Sequence, residues 1–241
     1  MYVVGIGTSA GGLDALMALF STIHKTNRVS YVVAQHMAHD GHAALIVKLL
    51  SYTSLLEVVE AKSGDLLRAD RVYFIPSGVN GCVSDGHIVL HPPSPQDVSN
   101  PSVDRLFASI AHEYGCYGVG VILSGAGSDG VRGCHAIQGQ GGMTIAQHPE
   151  TVAFSGMVTA AVDANVIQYV LKIDDIGNKI ASLFSSRIAQ QKTTLPDTPI
   201  ESTQQSYIKL LDLVRKETGV DFSQYKGEML KRRLKQRACH I

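Results

Sequence analysis

Tryptophan, excess charge and long apolar runs are all missing from this sequence. The 241 residues carry 21 basic and 21 acidic side chains, so no overall field attracts the chain to nucleic acid or lipid. The longest apolar runs are far shorter than the roughly 20 residues that span a bilayer, and no signal-peptide pattern follows Met1. These absences predict a cytoplasmic protein that neither inserts into a membrane nor binds nucleic acid.

Cysteine is also scarce, with four in the whole chain: Cys82, Cys116, Cys134 and Cys239. They show no C-x-x-C spacing, and three of them lie among apolar residues or glycines, so we expect free thiols in a reducing compartment. A second group of metal-binding residue types lies at His36, His39, Asp40 and His42. Its spacing matches no common zinc pattern, so the sequence predicts neither a disulfide nor a metal site.

What the sequence does contain is a regular alternation of short apolar runs and helical patterns through residues 1–187. The runs typical of strands fall at 2–6, 29–34, 55–59, 71–75, 118–123, 143–146 and 166–171. The helical patterns fall at 13–23, 43–50, 103–114, 131–138 and 176–188. Ser84-Asp85-Gly86 joins two further apolar runs in a hairpin turn. This order predicts a three-layer α/β/α fold, with a doubly wound, mostly parallel sheet, right-handed crossovers and one antiparallel hairpin.

The composition changes after residue 187. Residues 188–203 are polar and contain Pro196 and Pro199, which is typical of a linker. Apolar residues then fall on one helical face from Tyr207 to Val214, and a basic run follows from Lys231 to Arg237. A segment this short cannot bury a core of its own. We therefore expect an α/β domain at 1–187, a linker at 188–203 and a short helical extension at 204–241.

Two motifs overlap in the first strand-to-helix loop, at residues 5–12. Gly5, Gly7 and Gly11 follow a dinucleotide-binding pattern, whereas Ser9 lies in the G-x-S-x-G pattern of a nucleophile. Both fit a loop at the carboxyl end of a parallel strand, where such sheets bind ligands. The second strand ends at His36 rather than at the acidic residue that would bind a ribose. This favours general-base chemistry, with a nucleotide-binding oxidoreductase as the alternative.

A carboxylate follows the central strand, where a glycine-rich loop carries Asp129. Ser9, His36 and Asp129 thus come from three strand ends that open on one crevice. A catalytic triad requires three side chains that meet in this way: a hydroxyl nucleophile, an imidazole base and the carboxylate that orients the imidazole. The simplest alternatives are structural: Ser9 and Asp129 would each cap the helix that follows it, and His36 would be a structural histidine.

Four motifs resemble those of the CheB-type protein-glutamate methylesterases and lie at residues 7–12, 35–37, 101–107 and 123–130. The resemblance covers about residues 1–187 and includes 154–158, which is similar to an F-x-G-M-P element with valine in place of proline. It implies that Ser9 is the nucleophile, His36 the base and Asp129 the acid. It also implies an oxyanion contact from the main chain at Ala126, and we expect a second contact from the N–H near Ala10.

The reaction implied by this resemblance is hydrolysis of glutamate γ-methyl esters on the cytoplasmic helices of methyl-accepting chemoreceptors. Methanol would be the product, and glutamine deamidation would be a second activity. The resemblance implies no cofactor and no metal. A domain that docks on receptors without catalysing a reaction is the second alternative.

Residues 219–226 and 231–233 resemble the opening helices of the CheR-type protein-glutamate methyltransferases. This implies a fusion of an esterase with the first part of a transferase. We expect no methyltransferase activity, because the S-adenosylmethionine site would lie beyond residue 241, and no control by a receiver domain. The basic run from Lys231 to Arg237 is expected to be a solvated helix face or a surface for acidic receptor helices, rather than a nucleic-acid site.

Overall fold

Nine strands and six α-helices lie in the described part of the computed structural model, which comprises residues 1–37, 43–94 and 99–192. The strands are β1 (Tyr2–Thr8), β2 (Val29–Gln35), β3 (Glu57–Glu60), β4 (Arg71–Phe74), β5 (Asn80–Ser84), β6 (His87–His91), β7 (Gly118–Ile122), β8 (Met143–Gln147) and β9 (Tyr169–Leu171). The helices are α1 (Gly12–Thr22), α2 (Ala43–Thr53), α3 (Val103–Tyr114), α4 (Val131–Gly139), α5 (Gly156–Asp163) and α6 (Ile173–Lys192). Within those ranges, no helix has both the length and the apolar character needed to cross a membrane.

Seven of the strands form one parallel sheet, in the order β3-β4-β2-β1-β7-β8-β9. The other two, β5 and β6, pair as an antiparallel hairpin. The chain builds β2, β3 and β4 on one side of β1, and then β7, β8 and β9 on the other side. The predicted α/β fold, with its doubly wound sheet and single hairpin, is confirmed. Open sheets of this kind bind ligands where the winding reverses, which here is between β1 and β7.

Helices cover both faces of the sheet. Because successive residues of a strand point to opposite sides, neighbouring residues of one strand pack against different helix layers. On one face Tyr31 of β2 packs edge-on against Phe20 of α1, with 5.8 Å between the ring centroids. On the other face Val32 of β2 belongs to the same apolar cluster as Phe107 and Ile110 of α3. The strands β1, β2 and β7 are buried along their whole length, as expected of strands with a helix layer on each side.

Two glycines allow α3 to pack closely against β1. A Cβ atom at Gly5 would lie 2.8 Å from the Phe107 ring, and one at Gly7 would lie 2.3 Å from Cγ1 of Val103. Both separations are shorter than real Cβ contacts, so neither position accepts a side chain without a shift of α3. Helix packing therefore accounts for two of the three glycines in the dinucleotide-binding pattern.

The helix α5 is not revealed by the sequence pattern. Its sequence, GMVTAAVD, is short and rich in β-branched residues, which have modest helix propensity. Met157, Val158 and Ala161 are nonetheless fully buried, so tertiary packing stabilises this helix where propensity does not.

Met1–Ser182 forms one compact unit of the chain and Leu183–Ile241 forms another. The last helix, α6, continues through Lys192, so the first residues of the predicted linker are helical. The rest of that linker and the predicted extension at 204–241 lie outside the described residues.

The cysteines follow the sequence expectation only in part. Cys82 and Cys134 are free thiols, and burial raises the pKa of the Cys134 thiol. Cys116 is disulfide-bonded, so the expectation of a free thiol is wrong at this position. Spacing along the chain does not show which sulfur atoms meet in space. Cys239 lies outside the described residues.

Candidate active site

Three neighbouring strand ends bring the predicted triad residues to one edge of the sheet. Ser9 follows β1, His36 follows β2, and β1 lies between β2 and β7. The main-chain N–H of His36 donates to the carbonyl of Thr8 at 3.0 Å, and that of Ser9 donates to the carbonyl of Ser124 at 3.0 Å. Ser9 and His36 are therefore adjacent across the β1–β2 pair, and the loop that follows β7 lies on the other side of Ser9.

His36 and Asp129 are in direct contact. Nε2 of the imidazole lies 2.8 Å from Oδ2 of the carboxylate, and the two side chains are 18% and 11% exposed. Because a carboxylate only accepts, Nε2 is the protonated nitrogen that donates this hydrogen bond. The nitrogen left to accept a proton is Nδ1.

The Ser9 side chain is half-buried, and its hydroxyl makes no hydrogen bond with any described residue. The structure therefore forms the histidine–carboxylate contact of the predicted triad but not the serine–histidine contact. In enzymes of this kind the second contact is often long before substrate binds, and it tightens in the reacting complex.

Asp129 accepts hydrogen bonds from side chains and from the main chain. Its donors are His36, the hydroxyls of Ser99 and, at 3.5 Å, Ser102, and the main-chain N–H groups of Val103 at 2.7 Å and Asp104 at 2.9 Å. Burial by itself raises the pKa of Asp129, but these hydrogen bonds outweigh it and lower the pKa to about 2. The carboxylate is therefore ionised at neutral pH, as a group that stabilises an imidazolium must be.

The helix-cap alternatives for Ser9 and Asp129 are wrong. The N-cap of α1 is Gly11, in the left-handed conformation with φ of 70°, and that of α4 is Gly130, with no side-chain cap at either helix. Asp129 instead accepts from the first N–H groups of α3, which is a different helix. A carboxylate at this position also interacts favourably with the dipole of α3.

A second carboxylate, Asp104, supports the same region from the first turn of α3. Its Oδ1 accepts from the N–H groups of Gly130 at 2.9 Å and Gly133 at 2.8 Å, and its Oδ2 accepts from Nε of Arg132 at 2.9 Å. Sequence reasoning did not identify Asp104 or Ser99. The one available signal was the Ser-Val-Asp start of α3, since Ser102 is its N-cap and an acidic residue in a first turn accepts N–H groups.

The two predicted oxyanion donors lie in loops that are hydrogen-bonded to each other. The hydroxyl of Ser124 donates to the carbonyl of Ala10 at 2.8 Å and accepts from the N–H of Phe154 at 3.1 Å. The N–H groups of Ala10 and Ala126 donate to no described residue. A Cβ atom at Gly125, next to Ala126, would lie 3.0 Å from Cβ of Ser9, so this loop passes close to the serine.

The arrangement offers little room for a dinucleotide. A Cβ atom at Gly11 would lie 2.8 Å from the Ser124 hydroxyl and 3.0 Å from Cβ of Ala153, so the 153–154 segment lies over the start of α1, where a pyrophosphate would bind. Among the described residues, no group of three His, Cys, Asp or Glu side chains is placed to hold a metal ion. His39, Asp40 and His42 lie outside them.

Two family models match the chain. One, described as CheB methylesterase, matches residues 4–180, and the other, described as CheR methyltransferase, all-alpha domain, matches residues 205–240. A solved structure, the CheB methylesterase catalytic domain of Thermotoga maritima, is similar with a TM-score of 0.70 and 29% sequence identity. That similarity covers 76% of this chain and 98% of the other.

Two curated proteins with similar sequences share a name. The chain is 40% identical over 181 residues to protein-glutamate methylesterase/protein-glutamine glutaminase 2 of Anaeromyxobacter dehalogenans, which covers 75% of this chain and 53% of that protein. It is 37% identical over 187 residues to the protein-glutamate methylesterase/protein-glutamine glutaminase of Moorella thermoacetica, with coverage of 75% and 44%. The chain thus spans about half the length of the curated relatives it matches.

Proposed function

The chain belongs to the CheB methylesterase family, and from this premise we propose that it hydrolyses glutamate γ-methyl esters on the cytoplasmic helices of chemoreceptors. The observation that carries the proposal is the 2.8 Å hydrogen bond from His36 to Asp129 at the strand end next to Ser9. It joins two of the three groups that acyl transfer by a serine requires. The reaction takes place in the cytoplasm, with no cofactor.

In the first step the Ser9 hydroxyl attacks the ester carbonyl carbon and His36 takes its proton at Nδ1. Asp129, ionised and hydrogen-bonded to Nε2, stabilises the imidazolium that results. The carbonyl oxygen becomes an oxyanion, to which the N–H groups of Ala10 and Ala126 donate. Each such donor contributes on the order of 3 kcal/mol to the transition state.

The tetrahedral intermediate then collapses. The bond to the methoxy group breaks, the imidazolium of His36 returns its proton to that oxygen, and methanol leaves. Water attacks the acyl carbon while His36 takes one of its protons. The bond from that carbon to the Ser9 oxygen then breaks, and His36 gives the proton to Ser9. The released glutamic acid loses its proton to solvent, which restores its negative charge. Deamidation of a glutamine follows the same steps with ammonia as the leaving group, and the curated relatives are named as glutaminases as well as methylesterases.

The experiment compares the full chain with its Ser9→Ala variant on a methylated receptor fragment, with released methanol as the measurement. We expect the variant to release no methanol above background, because it lacks the hydroxyl that attacks the ester carbonyl. Ser51→Ala is the matched control, since this exposed hydroxyl bonds only to its own helix, at the carbonyl of Val47. Methanol release by Ser9→Ala at the wild-type rate would remove the serine from the mechanism.

Two further measurements separate the alternatives. A serine-directed phosphonate should label the wild type and not Ser9→Ala, whereas titration with a nicotinamide dinucleotide should show no binding. Binding of the receptor fragment without any methanol release would favour a docking domain. We also propose that residues 188–203 link the esterase to the first part of a methyltransferase at 204–241, which the match at 205–240 supports.

A further inference from the structure

A groove opens beside the candidate triad, between α3 and α4. Its lining includes His36, Asp129, Asp104, Arg105, Ala108 and Arg132. A protein segment with its ester beside His36 would have this groove next to it.

The solvent-facing side of the two helices carries no acidic residue. Six residues of α3 and α4 are exposed, and we call them the α3/α4 face: Arg105, Ala108, His112, Arg132, His135 and Gly139. Two are arginines, two are histidines and two are small. Among the described residues, the exposed ionisable side chains of this face are all basic, with Arg132 paired to Asp104 and His112 paired to Glu113.

Two carboxylates, those of Asp104 and Asp129, also line this groove, but both are engaged in hydrogen bonds. Asp104 and Asp129 have side chains that are 13% and 11% exposed, and both accept hydrogen bonds from helix N-termini. Glu113, the remaining acidic residue of the two helices, is 11% exposed and accepts from the N–H of Asp85. These charges are therefore poorly placed to repel an approaching anion.

Arg132 has the geometry of an anion-binding group. Its side chain is 86% exposed, and its Nε donates to Asp104 at 2.9 Å. The two terminal nitrogens of the guanidinium make no hydrogen bond with any described residue. The contact with Asp104 holds the planar group in one orientation, with its outer edge available to a carboxylate.

We propose that the α3/α4 face binds acidic side chains that flank the esterified glutamate in the substrate protein. The inference rests on the proposed esterase function and adds the chemistry of the segment that the enzyme selects. The small residues Ala108 and Gly139 allow a substrate helix to approach closely, and Arg105 and Arg132 pair with its carboxylates. A nucleic acid fits less well, because the face has no Phe, Tyr or Trp side chain for bases to stack on.

The test uses the full chain and two helical peptides, each with a single glutamate γ-methyl ester. One peptide has glutamates on both sides of the ester, and the other has glutamines at the same positions. We expect kcat/KM for methanol release to be about fivefold higher for the acidic peptide at low salt, which is the scale of one or two exposed ion pairs. The preference should fall toward unity near 1 M salt, where charges are screened beyond about 3 Å.

The double variant Arg105→Gln/Arg132→Gln should lose the preference, measured as the ratio of the two peptides within the same protein. Arg105→Gln alone should lose part of the preference. This single change leaves the pair between Arg132 and Asp104 in place. Arg28→Gln is the matched control, because this exposed arginine precedes β2 at the opposite edge of the sheet, and it should keep the preference.

Equal turnover of the two peptides by the wild type would overturn the inference and leave the esterase function standing. A preference for the acidic peptide that survives in the double variant would also overturn it. So would a preference that Arg28→Gln reduces as much as the double variant does. If the wild type released methanol from neither peptide nor from the methylated receptor fragment, the esterase function itself would be rejected and the inference with it.

Discussion

Asp104 and Asp129 each accept hydrogen bonds from the main chain at the start of the other's helix. Asp129, just before α4, takes the N–H groups of Val103 and Asp104 in α3, and Asp104 in α3 takes those of Gly130 and Gly133 in α4. The carboxylate that contacts His36 is therefore held by the same contacts that fix the relative position of two helices. A change at Asp104 should reach the candidate triad through Asp129.

Asp104→Asn tests this coupling. An amide keeps one acceptor oxygen but loses the charge at the start of α4 and the pair with Arg132, so we expect the free energy of unfolding to fall by about 1 kcal/mol. We also expect kcat to fall by about tenfold, because misplacement of reacting groups by about 1 Å costs up to roughly 100-fold. Denaturant unfolding and methanol release measure the two effects.

The control for Asp104→Asn is Asp14→Asn, which makes the same change at an exposed aspartate in the first turn of α1. It should alter stability by a few tenths of a kcal/mol and leave kcat unchanged. If Asp104→Asn lost stability without losing kcat, the helix contacts would be structural and the coupling to Asp129 would be wrong.

Asp129→Asn should lower the rate of the chemical step more than Asp104→Asn does. The amide cannot stabilise the imidazolium of His36, and in serine hydrolases this change lowers kcat by about 10⁴-fold. Substrate binding should change little, so the loss should appear in kcat with KM nearly constant. A decrease of less than about tenfold would show that Asp129 serves α3 rather than the reaction.

The pKa of Asp129 also predicts how stability depends on pH. Folding lowers this pKa from its ordinary value of 3.8 to about 2, so the folded state favours the ionised carboxylate. The ionised Asp129 carboxylate contributes about 2 kcal/mol to the free energy of unfolding. This contribution is fully present above pH 4 and is lost as the pH falls toward 2. Urea unfolding of wild type and Asp129→Asn between pH 6 and pH 2 should show the difference in stability shrinking over that interval. A difference that stays constant down to pH 2 would contradict this assignment.

The sequence alone was sufficient for the fold and for where the candidate site residues lie. Fully apolar strands such as β7 alternate with amphipathic helices, and a doubly wound sheet then places Ser9, His36 and Asp129 at the ends of adjacent strands. The resemblance to the CheB methylesterase family, drawn from four short motifs, is confirmed by the match over residues 4–180.

The contacts that hold the site were not predictable in the same way. Asp129 receives hydrogen bonds from Asp104 and Ser99, which lie 25 and 30 residues earlier in the chain, and no local pattern connects such positions. The structural alternative, in which Asp129 caps the helix that follows it, is wrong for this reason, because Asp129 accepts from the start of α3 instead. The imidazole nitrogen that faces the carboxylate also depends on side-chain conformation.

Gly7→Ala tests how far the site depends on the close packing of α3 against β1. The new methyl group would lie 2.3 Å from Cγ1 of the fully buried Val103, so we expect a loss of about 1–3 kcal/mol in the free energy of unfolding. Because the N–H of Val103 donates to Asp129, the shift of α3 should also lower kcat.

Val103→Ala and Gly139→Ala complete this test. If the clash is with Val103, then Gly7→Ala should be less harmful in a Val103→Ala background, and a double-mutant cycle should give a coupling energy of about 1 kcal/mol or more. Gly139 in α4 is exposed, with no atom within 4 Å of an added Cβ, so Gly139→Ala should be neutral or slightly stabilising. Additive effects of Gly7→Ala and Val103→Ala would contradict the packing explanation, since each change would then act through a different neighbour.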